Sequence, residues 1–151
     1  MPDSESSTET EPNRTAAGSS DPQDIHSIAV TVEDVVTALE ANLRVDRRAV
    51  LRITPPFAGR MRARLHVDGG EGAYDGDIQP IHIDPENLVS DVPAYPTADE
   101  TAEPDDDLDA RRRRHTDGVS EWRETVRNRL TETVTVPHNG ESLALRVLQL
   151  G

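Results

Sequence analysis

The sequence predicts a single α+β domain, in which two main helices pack on a mostly antiparallel sheet of about five to six strands, preceded by a disordered N-terminal tail. Short segments with period-two alternation recur along the chain, and two longer segments repeat apolar residues at helical spacing. Residues 1–24 contain almost nothing that could be buried. We therefore predict a tail at 1–24 and a domain at 25–151, with an acidic loop or linker at 93–110.

The composition indicates a small core and a salt-rich solvent. The chain has 151 residues, with 29 acidic side chains against 16 basic ones, a formal net charge of -13 and no lysine. Concentrated salt screens exposed charges beyond about 3 Å at 1 M, so carboxylates repel one another less there. Acidity combined with arginine in place of lysine is typical of haloarchaeal proteins. We interpret the acidity as an adaptation to the solvent and not as an active site.

The composition also excludes several classes of protein. The chain has no cysteine, which excludes disulfides, thiolate zinc sites and cysteine nucleophiles. Its start, "MPDSESSTETEP", lacks the apolar region of a signal peptide. No segment approaches the roughly 20 apolar residues of a membrane span. We expect a cytoplasmic protein without membrane contact.

The first predicted elements are a strand and a helix. Ile25, Ile28 and Val30 indicate a short strand. In "TVEDVVTALEANLR", Thr31 is placed to cap the helix, with Asp34 three residues later. The helical spacing is that of Val32, Val35, Val36, Leu39 and Leu43.

A group of strands follows. "AVLRI" (49–53) reads as a strand, and the two prolines of "TPPFAG" predict a turn. "RMRARLHV" then alternates. Its expected inward residues are Met61, Ala63, Leu65 and Val67, and its outward residues are Arg60, Arg62, Arg64 and His66. "IQPIHI" predicts another strand, and "DPENLV" a short helix with proline at its first position.

The last third contains the second helix and a hairpin. The segment 93–110 has seven acidic residues and no basic one. In the helix that follows, one face is marked by Val119, Trp122, Val126 and Leu130, and Asp117-Gly118 is expected to kink or split it. "TVTV" and "SLALRVLQL" predict a hairpin whose turn contains Asn139-Gly140.

An arginine row is the candidate binding site. Residues 44–66 contain seven arginines and a single acid, Asp46. If 49–54 pairs with 60–67, Arg52 joins the outward residues of the second strand on a common face. The candidate residues are Arg52, Arg60, Arg62, Arg64 and His66. Like charges at this density need neutralisation, either by the protein's own carboxylates, by an acidic protein, or by a phosphate-bearing ligand such as RNA, DNA or a nucleotide.

Other signals for specific chemistry are weaker. His82 and Asp84 share a strand face at a spacing that some metal sites use, but no second cluster of ligands accompanies them. "DGGEGAYDGD" is an acidic glycine-rich loop that does not match the EF-hand pattern. The four arginines 111–114 follow "DDDLD" and read as a self-compensating helix start. Nucleic-acid binding meets two objections, because concentrated salt weakens phosphate contacts and because the row has no interleaved aromatic residue.

We therefore predict an accessory or regulatory binding protein without catalytic residues, cofactor or metal. The alternative is an enzyme whose arginines hold a phosphorylated small substrate, with His82 or His66 as acid/base.

Two stretches carry a resemblance to known sequences. "TVEDVVTALEANLRVDRRAVLRITPPFAGRMRARLHV" and "RRRRHTDGVSEWRETVRNRL" resemble a small family of haloarchaeal proteins with no assigned function. "TPPFAGRMRARLH" is the most distinctive part, and the likeness covers about residues 25–150. The resemblance implies a haloarchaeal, cytoplasmic origin and supplies no catalytic residues.

Overall fold

The computed structural model describes residues 18–45, 48–67 and 78–150. Within them the helices are α1 (Val32–Arg44), α2 (Ala98–Thr101) and α3 (Leu108–Arg127). The strands are β1 (Ser27–Thr31), β2 (Ala49–Ile53), β3 (Arg60–Arg62), β4 (Arg64–Val67), β5 (Ile81–Ile83), β6 (Thr133–His138) and β7 (Glu141–Leu150). Pro22–Asp24 and Pro85–Leu88 form 3₁₀ turns, the second beginning at the predicted proline. The α+β class is confirmed.

The strands form two sheets, of four and three strands, so our prediction of one mostly antiparallel sheet of five to six strands is only partly matched. The first sheet has the order β3-β1-β7-β6, and the second has the order β4-β2-β5. β1 runs parallel to both β3 and β7, whereas all pairs of the second sheet are antiparallel. Alternation along a strand fixes which side chains share a face, but it does not specify the neighbouring strand.

The helix α1 confirms its prediction and joins the two sheets. The Thr31 hydroxyl accepts a hydrogen bond from the Asp34 amide at 3.2 Å, which caps the helix. Val35 and Leu39 are buried, and the helix packs against β1, β2 and β4. Leu43, which we placed on the same apolar face, is 47% exposed.

The helix α3 is continuous from Leu108 to Arg127, so it is not split at Asp117-Gly118. It packs mainly against α1 and α2. Trp122 is buried, its indole N–H donates to the Pro93 carbonyl at 2.9 Å, and its ring meets Tyr95 edge-on with 5.0 Å between centroids.

The predicted hairpin of β6 and β7 is confirmed. The two strands are antiparallel, and their pairing extends from Thr133 opposite Arg146 to His138 opposite Glu141. Asn139 and Gly140 have φ values of 52° and 79°, as the tight turn requires.

The N-terminal tail prediction falls mostly outside the described residues, which begin at Gly18. Ser19 pairs with Phe57 through backbone hydrogen bonds of 2.7 and 2.6 Å. Gly18 has a φ of 88°, and a Cβ there would lie 2.9 Å from the Pro56 Cβ. Contacts with the domain therefore begin several residues before Ile25.

Candidate functional site

The strand segment that carries the arginine row changes sheets at Ala63. Arg60 and Arg62 pair in parallel with β1, whereas Arg64 and His66 pair antiparallel with β2. Ala63 itself is fully buried. The expectation of one hairpin face shared by all five candidate residues is therefore wrong, and the row is divided between two sheets.

The first half of the row lies on the outer face of the four-stranded sheet. The core faces of β1 and β7 carry Ile28 and Val147, so their alternate residues point to the other side. Ser27 on that outer side lies between Arg60 on β3 and Arg146 on β7. Neighbouring strands lie about 4.8 Å apart, so the two arginine Cα atoms flank the serine at a separation of roughly 10 Å.

A third arginine extends this cluster. Arg62 is half-buried, two positions along β3 from Arg60, at a spacing of about 7 Å. It lies beside Ala29, which in turn lies beside Leu148. We call Arg60, Arg62 and Arg146 the arginine triad; of its two apolar neighbours, Ala29 is buried and Leu148 is half-buried.

The arginine triad has no carboxylate partner among the described residues. Four described arginines form ion pairs with described carboxylates, among them Arg48 with Asp84 at 3.1 Å and Arg114 with Asp106 at 2.8 Å. The members of the triad form no such pair, as is also true of Arg44, Arg64 and the arginines 111–113, and the buried Nε of Arg62 has no hydrogen-bond partner within the described part of the chain. Internal neutralisation by described residues therefore does not account for the triad.

The second half of the row lies on the outer face of the three-stranded sheet. Arg52 is directly opposite both Arg64 and His82, which confirms the predicted juxtaposition of Arg52 and Arg64. Arg52 Nη1 donates to His66 Nδ1 at 3.2 Å, and the His66 and His82 rings are 5.4 Å apart. A guanidinium can only donate, so Nδ1 of His66 acts as the acceptor.

On this second face Arg64 and His82 are exposed, whereas Arg52 and His66 are half-buried. Val50 on the same side is fully buried, and Arg52 and His82 each make at least one further interaction. Three clefts lined by described residues lie around α1, α3 and the 3₁₀ turn after β5, and their linings include neither His66 nor His82. The arrangement that our enzymatic alternative requires, with the row and His82 in one cavity, is not found in these clefts.

A partly buried ion pair lies elsewhere, between α1 and α3. Glu40 is 8% exposed, and its carboxylate accepts hydrogen bonds from Arg123 Nε and Nη2 at 2.8 and 2.9 Å. The Tyr95 hydroxyl donates a third bond at 2.7 Å. The bonds from Arg123 hold the pKa of Glu40 below its usual value, although burial acts in the opposite direction. Burial, together with the bond to Glu40, raises the pKa of Tyr95.

The weaker sequence signals can be placed as well. Asp84 forms an ion pair with Arg48. The described residues contain no group of three or more side chains suited to a metal ion. The acidic loop 68–77 lies outside the described residues. At the start of α3, the pairing of Arg114 with Asp106 agrees with a self-compensating helix start.

The comparison with known families gives one match. A family model described as a domain of unknown function (DUF8009) covers residues 14–151, which is more than half of the chain. The chain belongs to this DUF8009 family. No curated protein and no solved structure matches it. The DUF8009 match begins before Gly18, in agreement with the contact between Ser19 and Phe57. None of the described helices has the length and apolar character needed to cross a bilayer.

Sequence reasoning missed Ser27 and Arg146 as members of this surface. Arg146 is the outward cation in "LALRVL", so the alternation already placed it opposite the core. Only the parallel pairing of β7 with β1 brings it beside Ser27 and the row. The sequence therefore indicates that Arg146 points away from the core, but it does not indicate which strand lies beside it.

Proposed function

We propose that this protein is a non-enzymatic accessory or regulatory protein of a salt-rich, haloarchaeal cytoplasm, which binds an acidic protein segment through the arginine triad. The single observation that supports this is the lack of a described carboxylate partner for Arg60, Arg62 and Arg146, in a chain with 29 acidic residues. A repulsive cluster on an open sheet face costs stability, and an external acidic group would relieve that cost.

The chemistry of the face favours a protein over a nucleic acid. Beside Arg62 lies the buried Ala29, followed on β7 by the half-buried Leu148, and Leu150 at the end of β7 is 36% exposed. Arginine beside apolar side chains is typical of protein interfaces. Of the described aromatic residues, Phe57 and Trp122 are buried and Tyr95 contacts Glu40 and Trp122 away from this face, so none of them offers it a platform for base stacking. Apolar contact also survives concentrated salt, whereas phosphate contact alone weakens steeply.

The spacing of the triad fits an extended acidic segment. Side chains at alternate positions of a strand are about 7 Å apart, which matches the step from Arg60 to Arg62. Each guanidinium can donate two parallel hydrogen bonds to a carboxylate. Ser27, between Arg60 and Arg146, adds a hydroxyl that can donate to the same group.

The test is fluorescence anisotropy in concentrated KCl with two labelled probes, a short peptide of alternating Glu and Val and a DNA duplex. We expect the peptide to bind and the combined change Arg60→Gln, Arg62→Gln and Arg146→Gln to abolish binding. The matched control changes Arg111, Arg112 and Arg113 of α3 to Gln, which removes the same charge elsewhere. Equal loss of peptide binding in both variants would show that binding depends only on the net charge of the protein. Binding of the duplex in preference to the peptide would transfer the proposal to a phosphate-bearing partner.

A further inference from the structure

A cleft between α1 and α3 contains cationic side chains whose donor groups are not all bonded to described residues. The cleft has a volume of about 250 Å³, and its lining includes Arg44, Tyr95, His115, Val119 and Arg123. This cleft adjoins a larger one of about 430 Å³, which is also lined by Arg44 and Arg123 and extends along α1. It lies apart from the arginine triad, which lines neither cleft.

The charges of the cleft favour an anion. The Glu40 carboxylate is already bonded by Arg123 and Tyr95, so the carboxylate and Arg123 neutralise each other. Arg44 lies close enough for its charge to act on Glu40, but it has no ion pair with any carboxylate in the described ranges. The cleft therefore contains one cation in excess.

Two further nitrogens of the cleft lining have no hydrogen bond to a described residue. The Nε and Nη2 atoms of Arg123 are bonded to Glu40, which leaves Nη1 without a bond to a described residue. Nδ1 of His115 is buried and has no hydrogen-bond partner in the described part of the chain. Buried polar atoms of native proteins are rarely left unpaired, and this nitrogen keeps a hydrogen-bonding capacity that the described residues do not use.

The remaining walls are apolar or aromatic. Val119 and the ring of Tyr95 line the smaller cleft, and Ala41 and Val45 line the larger one. Small-molecule sites commonly combine such walls with a few convergent polar groups. We infer that this cleft binds a small oxyanion attached to an apolar group, its charged end held by Arg44, Arg123 and His115. The oxyanion can be a phosphate or a carboxylate, since a guanidinium binds both in the same way.

The protein contains its own reporter for this site. Trp122 is the only tryptophan of the chain, and its ring contacts Tyr95 at 5.0 Å between centroids. A molecule seated against Tyr95 changes the surroundings of that pair and hence the emission of Trp122. The full chain can therefore be titrated with phenyl phosphate, with benzoate and with neutral benzyl alcohol while the fluorescence is recorded.

We expect at least one of the two anions to bind and benzyl alcohol to bind more weakly. The stronger anion identifies the preferred headgroup. Arg44→Gln should raise the Kd of that anion about tenfold, the effect of losing one charged hydrogen bond. Arg112→Gln, on the same helix as His115 but outside the cleft, should leave the Kd unchanged, as should Arg60→Gln.

Three results would overturn the inference: no binding by either anion, equal binding of benzyl alcohol, or equal effects of Arg44→Gln and Arg112→Gln. Arg44 has no ion pair to lose within the described residues, so its variant should keep the thermal midpoint of the parent. If it does not, His115→Gln provides the same comparison. Because Arg60→Gln affects only the triad, this result is separable from that of the proposed peptide-binding function.

Discussion

The backbone N–H of Ala63 donates to the carbonyl oxygen of Ala29 at 3.0 Å, which extends the pairing of β3 with β1 by one residue. The next residue, Arg64, already faces Arg52 on the second sheet. This change of partner places Arg60 and Arg62 beside Arg146 and separates them from the histidines. The surface that we propose for binding therefore depends on where the strand leaves one sheet for the other.

The Glu40–Arg123 pair should contribute to stability in a pH-dependent way. Glu40→Gln should lower the free energy of unfolding at pH 7 by about 2 kcal/mol, less than for a fully buried pair because the Arg123 side chain is 42% exposed. The folded-state pKa lies below the ordinary 4.5, so the contribution is complete above pH 4.5 and disappears as the pH falls through the folded value.

Denaturant unfolding of the parent and of Glu40→Gln, at pH values above and below 4.5, measures the effect. The free energies of unfolding of the two proteins should converge in acid. Glu33→Gln is the control, because Glu33 pairs with Arg127 but is 67% exposed, and it should cost less than about 0.5 kcal/mol. Parallel curves for Glu40→Gln and the parent would show that the carboxylate charge does not stabilise the fold.

Gly118 should be required by the approach of α2 to α3. A Cβ at this position would lie 3.0 Å from Thr101 Cγ2, although alanine is otherwise favoured over glycine within a helix by about 1 kcal/mol. We expect Gly118→Ala to stabilise the protein clearly only when Thr101→Ser has removed that methyl group. A double-mutant cycle of thermal midpoints measures this coupling. Additive effects would mean that the two residues do not restrict each other.

The predictable parts of the fold are those that local patterns specify. The Thr31 cap and the Asn139-Gly140 turn each require a few neighbouring residues, and both formed as expected. The parallel contacts of β1 with β3 and β7 join segments far apart in the chain, and nothing in an alternating pattern specifies such partners. The alternation from Arg60 to His66 continues through Ala63 without interruption, so it gave no sign of the change of sheet.

Salt should stabilise the fold. With a net charge of -13, repulsion between carboxylates acts over a Debye length of about 10 Å at 0.1 M salt and about 3 Å at 1 M. We expect the thermal midpoint to rise steadily with KCl concentration over this range. A sharp transition with an unchanged midpoint in dilute salt would contradict the salt-rich origin that we propose.

The most direct test of the central claim is to measure stability and binding together in the variant with Arg60, Arg62 and Arg146 all changed to Gln. If the arginine triad is retained for an acidic partner, the free energy of unfolding in concentrated KCl should stay equal or increase, because a repulsive cluster has been removed, while binding of the acidic peptide is lost. A clear loss of stability with unchanged peptide binding would contradict the account and assign the three arginines to the structure.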